Sequence, residues 1–290
     1  MNVLNIDVTS EAPPQMGRFR VYPIGDLHWD EKTCDRDRFR RYRDMIAADP
    51  HGLWVFVGDA ISGTTPGHRF FDPATTQALD PEVFANLDKY VTYMLDELVK
   101  EMEPLRDRPG IIIQGNHDVR RGIQWSGLAW ALANRLGPNV QYGGDEALVR
   151  VRASTSDTRG RNVWTMHCCH GAGGGMLPGG KLWRHQRDIT SLTTAEIAIR
   201  GHVHDSLTRI IYLYDVTRKS DKARLVEVPR AFLTAPGFMR SRIEGVNSYA
   251  ATKTYPSTDQ GLIYIEVHNP SPGARSWNHQ GKIFRHEAPF

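Results

Sequence analysis

Cysteine is scarce in this chain. There are 3 in 290 residues, and Cys168 and Cys169 are chain neighbours, a poor geometry for pairing with each other. That argues against a disulfide framework and points to a reducing compartment, read here as cytoplasmic. Long apolar runs are also lacking, and none approaches the roughly 20 residues of a membrane span. The first sixteen residues carry Asp7, Glu11, Pro13 and Pro14 instead of the apolar core of a leader peptide, so no membrane association is expected. Charge of one sign is missing too. The formal net charge is +3, and the densest basic cluster (Arg36, Arg38, Arg40, Arg41, Arg43) is interleaved with Asp35, Asp37 and Asp44. A solvated helix face accounts for that pattern, whereas a nucleic-acid footprint would be a one-sided stripe. With 40% hydrophobic and 24% charged residues, the chain has the composition of an enzyme-sized globule.

What the sequence does contain is a repeated grammar: an apolar strand, then a glycine or turn, then polar side chains. Ile111, Ile112 and Ile113 run into Gly115-Asn116-His117-Asp118. Arg18 to Ile24 (RFRVYPI) runs into Gly25-Asp26-Leu27-His28, and an Asp-x-His pair on extended backbone points both side chains the same way. Leu53 to Val57 (LWVFV) is apolar throughout, as in a parallel strand buried on both faces, and ends in Gly58-Asp59. Asn162 to Met166 leads into His167-Cys168-Cys169-His170-Gly171, and Ile197 to Ile199 leads into Arg200-Gly201-His202-Val203-His204. Open α/β sheets bind ligands outside the carboxyl ends of their strands, which is where this grammar puts its polar groups.

Between these strands, helices are expected over Arg36 to Ala48, Pro81 to about Pro104, Trp125 to Leu136 and Trp183 to Ile189. The second half is richer in strands: Ala147 to Ala153, Leu207 to Val216, Arg224 to Val228, Ala231 to Thr234 and Gly261 to Val267. No linker separates the halves. The expected organisation is a loose lead-in over 1–17 followed by one domain over 18–290, with two sheets packed face to face and flanked by helices.

The strand-end groups are Asp26, His28, Asp59, Asn116, His117, His170, His202 and His204. Oxygen and nitrogen donors of this mix suit Mn, Fe, Co, Ni or Zn, Mn first. They are too many for one four-coordinate structural zinc, whereas two divalent ions sharing a carboxylate would use them economically. Two ions about 3.5–4 Å apart form a clamp for in-line phosphoryl displacement. His167 competes with His170 for the fourth of these strand ends. Cys168 and Cys169 read as small buried hydrophobes.

This ordered set, Asp-x-His, Gly-Asp, Gly-Asn-His-Asp, His-Gly and Gly-His-x-His over residues 25 to 204, resembles the calcineurin-like metallophosphoesterase superfamily. The resemblance implies a four-layer α/β/β/α sandwich of two mixed β-sheets flanked by helices, with a dinuclear metal site at the strand ends. It implies that Asp26, His28, Asp59 and His204 hold one metal, and that Asp59, Asn116, His170 and His202 hold the other. Gly171 favours His170 over His167, because the family pattern is His-Gly. His117 would stay off the metals and protonate the leaving oxygen or stabilise developing charge. Asp118 would orient His117. The implied nucleophile is a hydroxide bridging the metals.

Departures narrow the resemblance. Gly58-Asp59-Ala60-Ile61-Ser62 lacks the acidic residue and arginine of the phosphoprotein phosphatases and the metal-binding tyrosine of the purple acid enzymes. The glycine-rich stretch after His170 and the short chain are more similar to small bacterial or phage-type members, many of which act on phosphodiesters. The expected partner is therefore a phosphoester substrate, with nucleotide or nucleic-acid diesters ahead of monoesters. A phosphatase is the second reading, and a catalytically silent binding module of the same fold is the third. Arg120 and Arg121, and below them His68 and Arg69, are candidate substrate contacts on a rim formed by residues 60–80, 119–128 and 172–185.

Overall fold

The computed structural model describes residues 1–11, 17–63, 79–119, 127–154, 162–172, 177–216, 225–246, 261–268 and 282–288. One sheet is built from β2 (Arg18–Ile24), β3 (Gly52–Phe56), β4 (Gly110–Ile113) and β5 (Val140–Gly144), completed by β11 (Ile263–His268) and β12 (Lys282–Glu287). Its order is β12-β11-β2-β3-β4-β5, with β2 to β5 parallel and the last two strands antiparallel. The other contains β1 (Asn2–Thr9), β6 (Glu146–Ser154), β7 (Asn162–Cys169), β8 (Ile197–Arg200), β9 (Thr208–Val216) and β10 (Leu225–Thr234). Its order is β1-β6-β7-β8-β10-β9, with parallel and antiparallel pairs mixed.

The two sheets pack face to face. Phe19, Val21, Leu53, Val55, Ile111 and Ile113 of the first meet Val149, Val151, Met166, Ile197, Ile199 and Leu233 of the second in one buried cluster. Each fully buried aliphatic or aromatic side chain of this kind contributes about 1.5–3 kcal/mol. The opposite face of the first sheet (Tyr22, Trp54, Phe56, Ile112) is covered by α1 (Arg36–Ala48), α3 (Tyr90–Met102) and α4 (Leu128–Leu136). On the second sheet α5 (Pro178–Leu192) sets Ile189 against Ala198 and Phe232. The layers are therefore α/β/β/α, the architecture the resemblance implied. Among the described residues, no helix is long and apolar enough to cross a membrane.

Several elements differ from the sequence reading. Residues 2–9 are an edge strand, parallel to β6, and no loose lead-in. Ile6 and Val8 face the core while Asp7 and Thr9 face out, a period-two pattern that polar neighbours disguised. The helix expected over 81–104 is two: α2 (Pro81–Ala85) ends at Asn86, and α3 begins after a short 3₁₀ turn. The two strands expected around Pro229 are one. Pro229 pairs with Tyr212 of β9, while β8 engages β10 only from Ala231 onward, so the missing N–H faces no ladder partner. The segment read over Trp183 to Ile189 extends to α5, with Pro178 in the first turn.

Candidate metal centre

The carboxyl ends of β2, β3 and β4 are neighbours in one sheet, and those of β7 and β8 are neighbours in the other. Their loops meet at one edge of the sandwich. Leu27 and His28 both donate their backbone N–H to the Asp59 carbonyl (3.0 and 3.2 Å), and Phe238 donates to that of Asp26 (2.9 Å). Two glycines allow the closest approach. A Cβ on Gly58 (φ +96°) would overlap the backbone of Gly115, and one on Gly115 would overlap the backbone N and the carboxylate of Asp59. Gly115→Ala is therefore expected to displace Asp59, destabilising the fold by about 1–3 kcal/mol in urea unfolding and abolishing Mn uptake in a titration. Unchanged Mn uptake would show that the Asp59 position is dispensable.

Among the described residues, the non-glycine residues with left-handed φ are His28 (46°), Asp59 (57°), His202 (68°) and His204 (54°). Each such conformation costs on the order of 1–3 kcal/mol and persists only where surrounding structure imposes it. All of these residues belong to the ligand set read from the sequence. Here the strain places donors on a common centre. Ligand atoms of Asp26, His28 and His204 lie within 4.8 Å of one another, as do those of Asp59, His170 and His202. Asp26, His28, Asp59 and His170 are buried; Asn116 is exposed at the mouth.

Hydrogen bonds fix which atoms face inward. His170 Nδ1 donates to the Val57 carbonyl (2.7 Å), so its Nε2 faces Asn116 Oδ1 (2.9 Å), Asp59 Oδ2 (3.1 Å) and His202 Nδ1 (3.2 Å). His202 Nδ1 also lies 3.0 Å from Asn116 Oδ1. Asp59 Oδ1 accepts the backbone N–H of His117 (2.8 Å), which leaves Oδ2 for the centre. So many acceptors aimed at one point require positive charge there. Burial disfavours a charged His170, but the hydrogen bond and charge of Asp59, with Asp26, push its pKa up to about 9. Burial likewise works against the Asp59 carboxylate, and His170, His117 and His28 outweigh it and hold Asp59 below the ordinary carboxylate range. His202, half-buried beside the His170 charge, is pushed down by desolvation and that charge. A divalent cation satisfies the same acceptors, and the donor set, of carboxylate, imidazole and amide oxygen, fits Mn, Fe, Co, Ni or Zn.

His117 sits beside this set. Its ring meets that of His28 edge-on (4.8 Å between centroids), and its Nε2 lies 3.8 Å from Asp59 Oδ2. A ligand atom of His117 lies within 4.8 Å of those of His28 and Asp59, so distance alone does not separate it from the ligands. Its Nδ1 donates to the Ser62 carbonyl (3.0 Å). The orienting role expected of Asp118 is corrected by the structure. The buried Asp118 carboxylate accepts the backbone N–H groups of Gly115 (2.8 Å), Asp59 (3.1 Å) and Ala60 (3.0 Å), and so pins the Gly-Asp turn to the Gly-Asn-His turn. Burial and the charge of Asp59 raise its pKa to about 7 against those bonds.

His167 lies on β7 away from the centre, facing Glu146. Cys168 is in the inter-sheet core, and burial pushes both thiols up, that of Cys169 to about 11. Arg120, Arg121, His68 and Arg69 lie outside the described residues. Sequence reasoning missed Ser62, Asp30 and Glu31, which contact the site histidines or hold what does; the one available hint was the polar Ser62 three positions after Asp59.

No protein-family model matches this sequence, and a search of curated proteins finds no match. Among solved structures, the chain is similar to that titled "Crystal structure of calcineurin-like phosphoesterase YfkN from Bacillus subtilis". The identity is 10%, the match covers 94% of this chain and 91% of that chain, and the TM-score is 0.36. A likeness at that score carries no weight for the site, whose chemistry rests on its own side chains.

Proposed function

We propose that this chain is a dinuclear metal-dependent phosphoester hydrolase, with phosphodiesters of nucleotides or nucleic acids ahead of monoesters. The observation that carries the reading is the convergence of Asp26, His28 and His204, and of Asp59, His170 and His202, imposed by left-handed backbone at His28, Asp59, His202 and His204. A closed structural site would not expose Asn116 at its mouth or keep His117 beside it.

Asp26, His28, Asp59 and His204 would hold one ion, and Asp59, Asn116, His170 and His202 the other. Bound there, the ions would polarise the phosphoryl oxygens and make water a nucleophile at neutral pH. The protein's own groups do the rest. Asp59 would present Oδ2 to both ligand sets, its Oδ1 being tied to the His117 backbone N–H. His117 carries a proton on Nδ1, held by Ser62, and its Nε2 faces the site. In the protonated ring, Nε2–H delivers its proton to the leaving oxygen as the new P–O bond forms and the old one breaks.

The preference for diesters rests on the sequence resemblance to small bacterial and phage-type members. It is tested by the hydrolysis of bis-p-nitrophenyl phosphate against p-nitrophenyl phosphate, with Mn supplied. The diester is expected to turn over faster. A clear preference for the monoester would make this a phosphatase and end the nucleic-acid reading. No hydrolysis of either, with Mn bound, would favour a silent binding module.

A further inference from the structure

Ser62 touches both kinds of histidine in the site. Its Oγ lies 2.9 Å from His28 Nδ1, and its carbonyl accepts from His117 Nδ1 at 3.0 Å. The proton positions follow by elimination. A carbonyl only accepts, so His117 Nδ1 is protonated. The Ser62 hydroxyl donates its single proton to Glu31 Oε1, so its oxygen accepts from His28, and His28 Nδ1 is protonated as well. Both rings therefore turn Nε2 toward the site. Ser62 is itself fixed. Its backbone N–H donates to Asp30 Oδ1 (2.7 Å), and Asp30 Oδ2 accepts the Tyr90 hydroxyl of α3 (2.6 Å). Ser62, Asp30 and Tyr90 are all buried, so a carboxylate deprived of these donors would have no water to turn to.

We propose that Ser62 is a positioning residue that sets the tautomers of His28 and His117 together, its hydroxyl governing the ligand and its carbonyl the proton donor, with Glu31 and Asp30 as its supports. The hydroxyl acts through His28 and the carbonyl acts through His117, so the two functions separate on mutation. Ser62→Ala removes the first and keeps the second. The assignment rests on the dinuclear reading only where it speaks of metal.

The test pairs Mn titration with long-range ¹H–¹⁵N NMR of the imidazoles in metal-free protein. In the wild type, two Mn ions bind, and His28 and His117 both carry their proton on Nδ1. In Ser62→Ala, Mn at the His28 set is expected to weaken by about 10–100-fold, the usual cost of losing an outer partner of a metal-bound histidine. The His170 set keeps its affinity, His28 loses its fixed tautomer, and His117 retains its own. Ser62→Thr, which keeps the hydroxyl, is expected to restore both readouts. If the wild type takes up no Mn, the dinuclear reading fails while the proton positions still decide the role of Ser62. If Ser62→Ala binds both ions as the wild type does, with His28 still protonated on Nδ1, the role of Ser62 is overturned and the dinuclear reading stands. Should Ser62→Ala not fold, Glu31→Gln removes the charge behind the hydroxyl. A smaller loss at the same ion supports the relay, and no change in affinity or tautomer overturns it.

Discussion

Asp59→Asn is expected to abolish metal binding and turnover together. This carboxylate is the one proposed for both ligand sets: its ligand atom groups with those of His170 and His202 on one side and with those of His28 and His117 on the other. Oδ1 is occupied by the His117 amide, so Oδ2 is the oxygen presented to the centre, 3.1 Å from His170 Nε2. Asparagine keeps the size and can keep the amide contact, but it removes the charge. Without that charge, neither ion would have the anionic oxygen proposed to be shared between them. The loss in Mn affinity should exceed the about 10–100-fold typical of an outer partner, and elemental analysis of the purified variant should find less than one Mn per chain. Asp26→Asn, whose side chain groups as a ligand only with His28 and His204 although it also accepts the His202 backbone N–H (3.1 Å), should leave an ion at the His170 set. A variant at Asp59 that kept full Mn content and full activity would remove the bridge from the site.

How much of this was legible in the sequence follows from what each strand end is made of. β3 and β4 are parallel and buried on both faces, so Leu53–Phe56 and Ile111–Ile113 read as unbroken apolar runs, and the residues after them stand out. The edge strand β1 buries one face only, with Ile6 and Val8 alternating with exposed Asn5, Asp7 and Thr9, and β12 buries only Ile283, so single-sequence reading passed both over. The candidate ligands were legible because carboxylate, imidazole and amide side chains announce themselves. Their left-handed backbone was not: at Gly58 the residue type signals it, but at His28, Asp59, His202 and His204 a side chain is needed for the chemistry and the fold bears the strain. The supports were hidden for a different reason. Asp118 acts on backbone N–H groups contributed by two turns, and Ser62 acts on His117 through its carbonyl, so neither role is written in a side-chain pairing. The resemblance implied that Asp118 orients His117, whereas its carboxylate is taken up by the backbone N–H groups of Gly115, Asp59 and Ala60.

His117→Ala is the complementary case, expected to keep both metal ions and lose turnover. The distances leave two roles for this ring. Its Nε2 lies near Asp59 Oδ2, at 3.8 Å, and its ligand atom groups with those of His28 and Asp59, as a metal ligand's would. Backbone conformation does not separate the two roles, since the proposed ligands Asp26, Asn116 and His170 lack the left-handed φ just as His117 does. His28 and Asp59 also have partners in the other two groups, so each ion retains a carboxylate and two histidines without His117. A general acid of this kind contributes about 10²–10⁴-fold to the rate. The largest loss is expected on substrates with a poor leaving group, such as a dinucleotide. The loss should be smallest on bis-p-nitrophenyl phosphate, whose leaving group departs without needing a proton. Equal losses on the two substrates would count against proton donation and leave charge stabilisation as the role. Loss of an ion from the variant would instead make His117 a ligand and move the search for the proton donor to another residue.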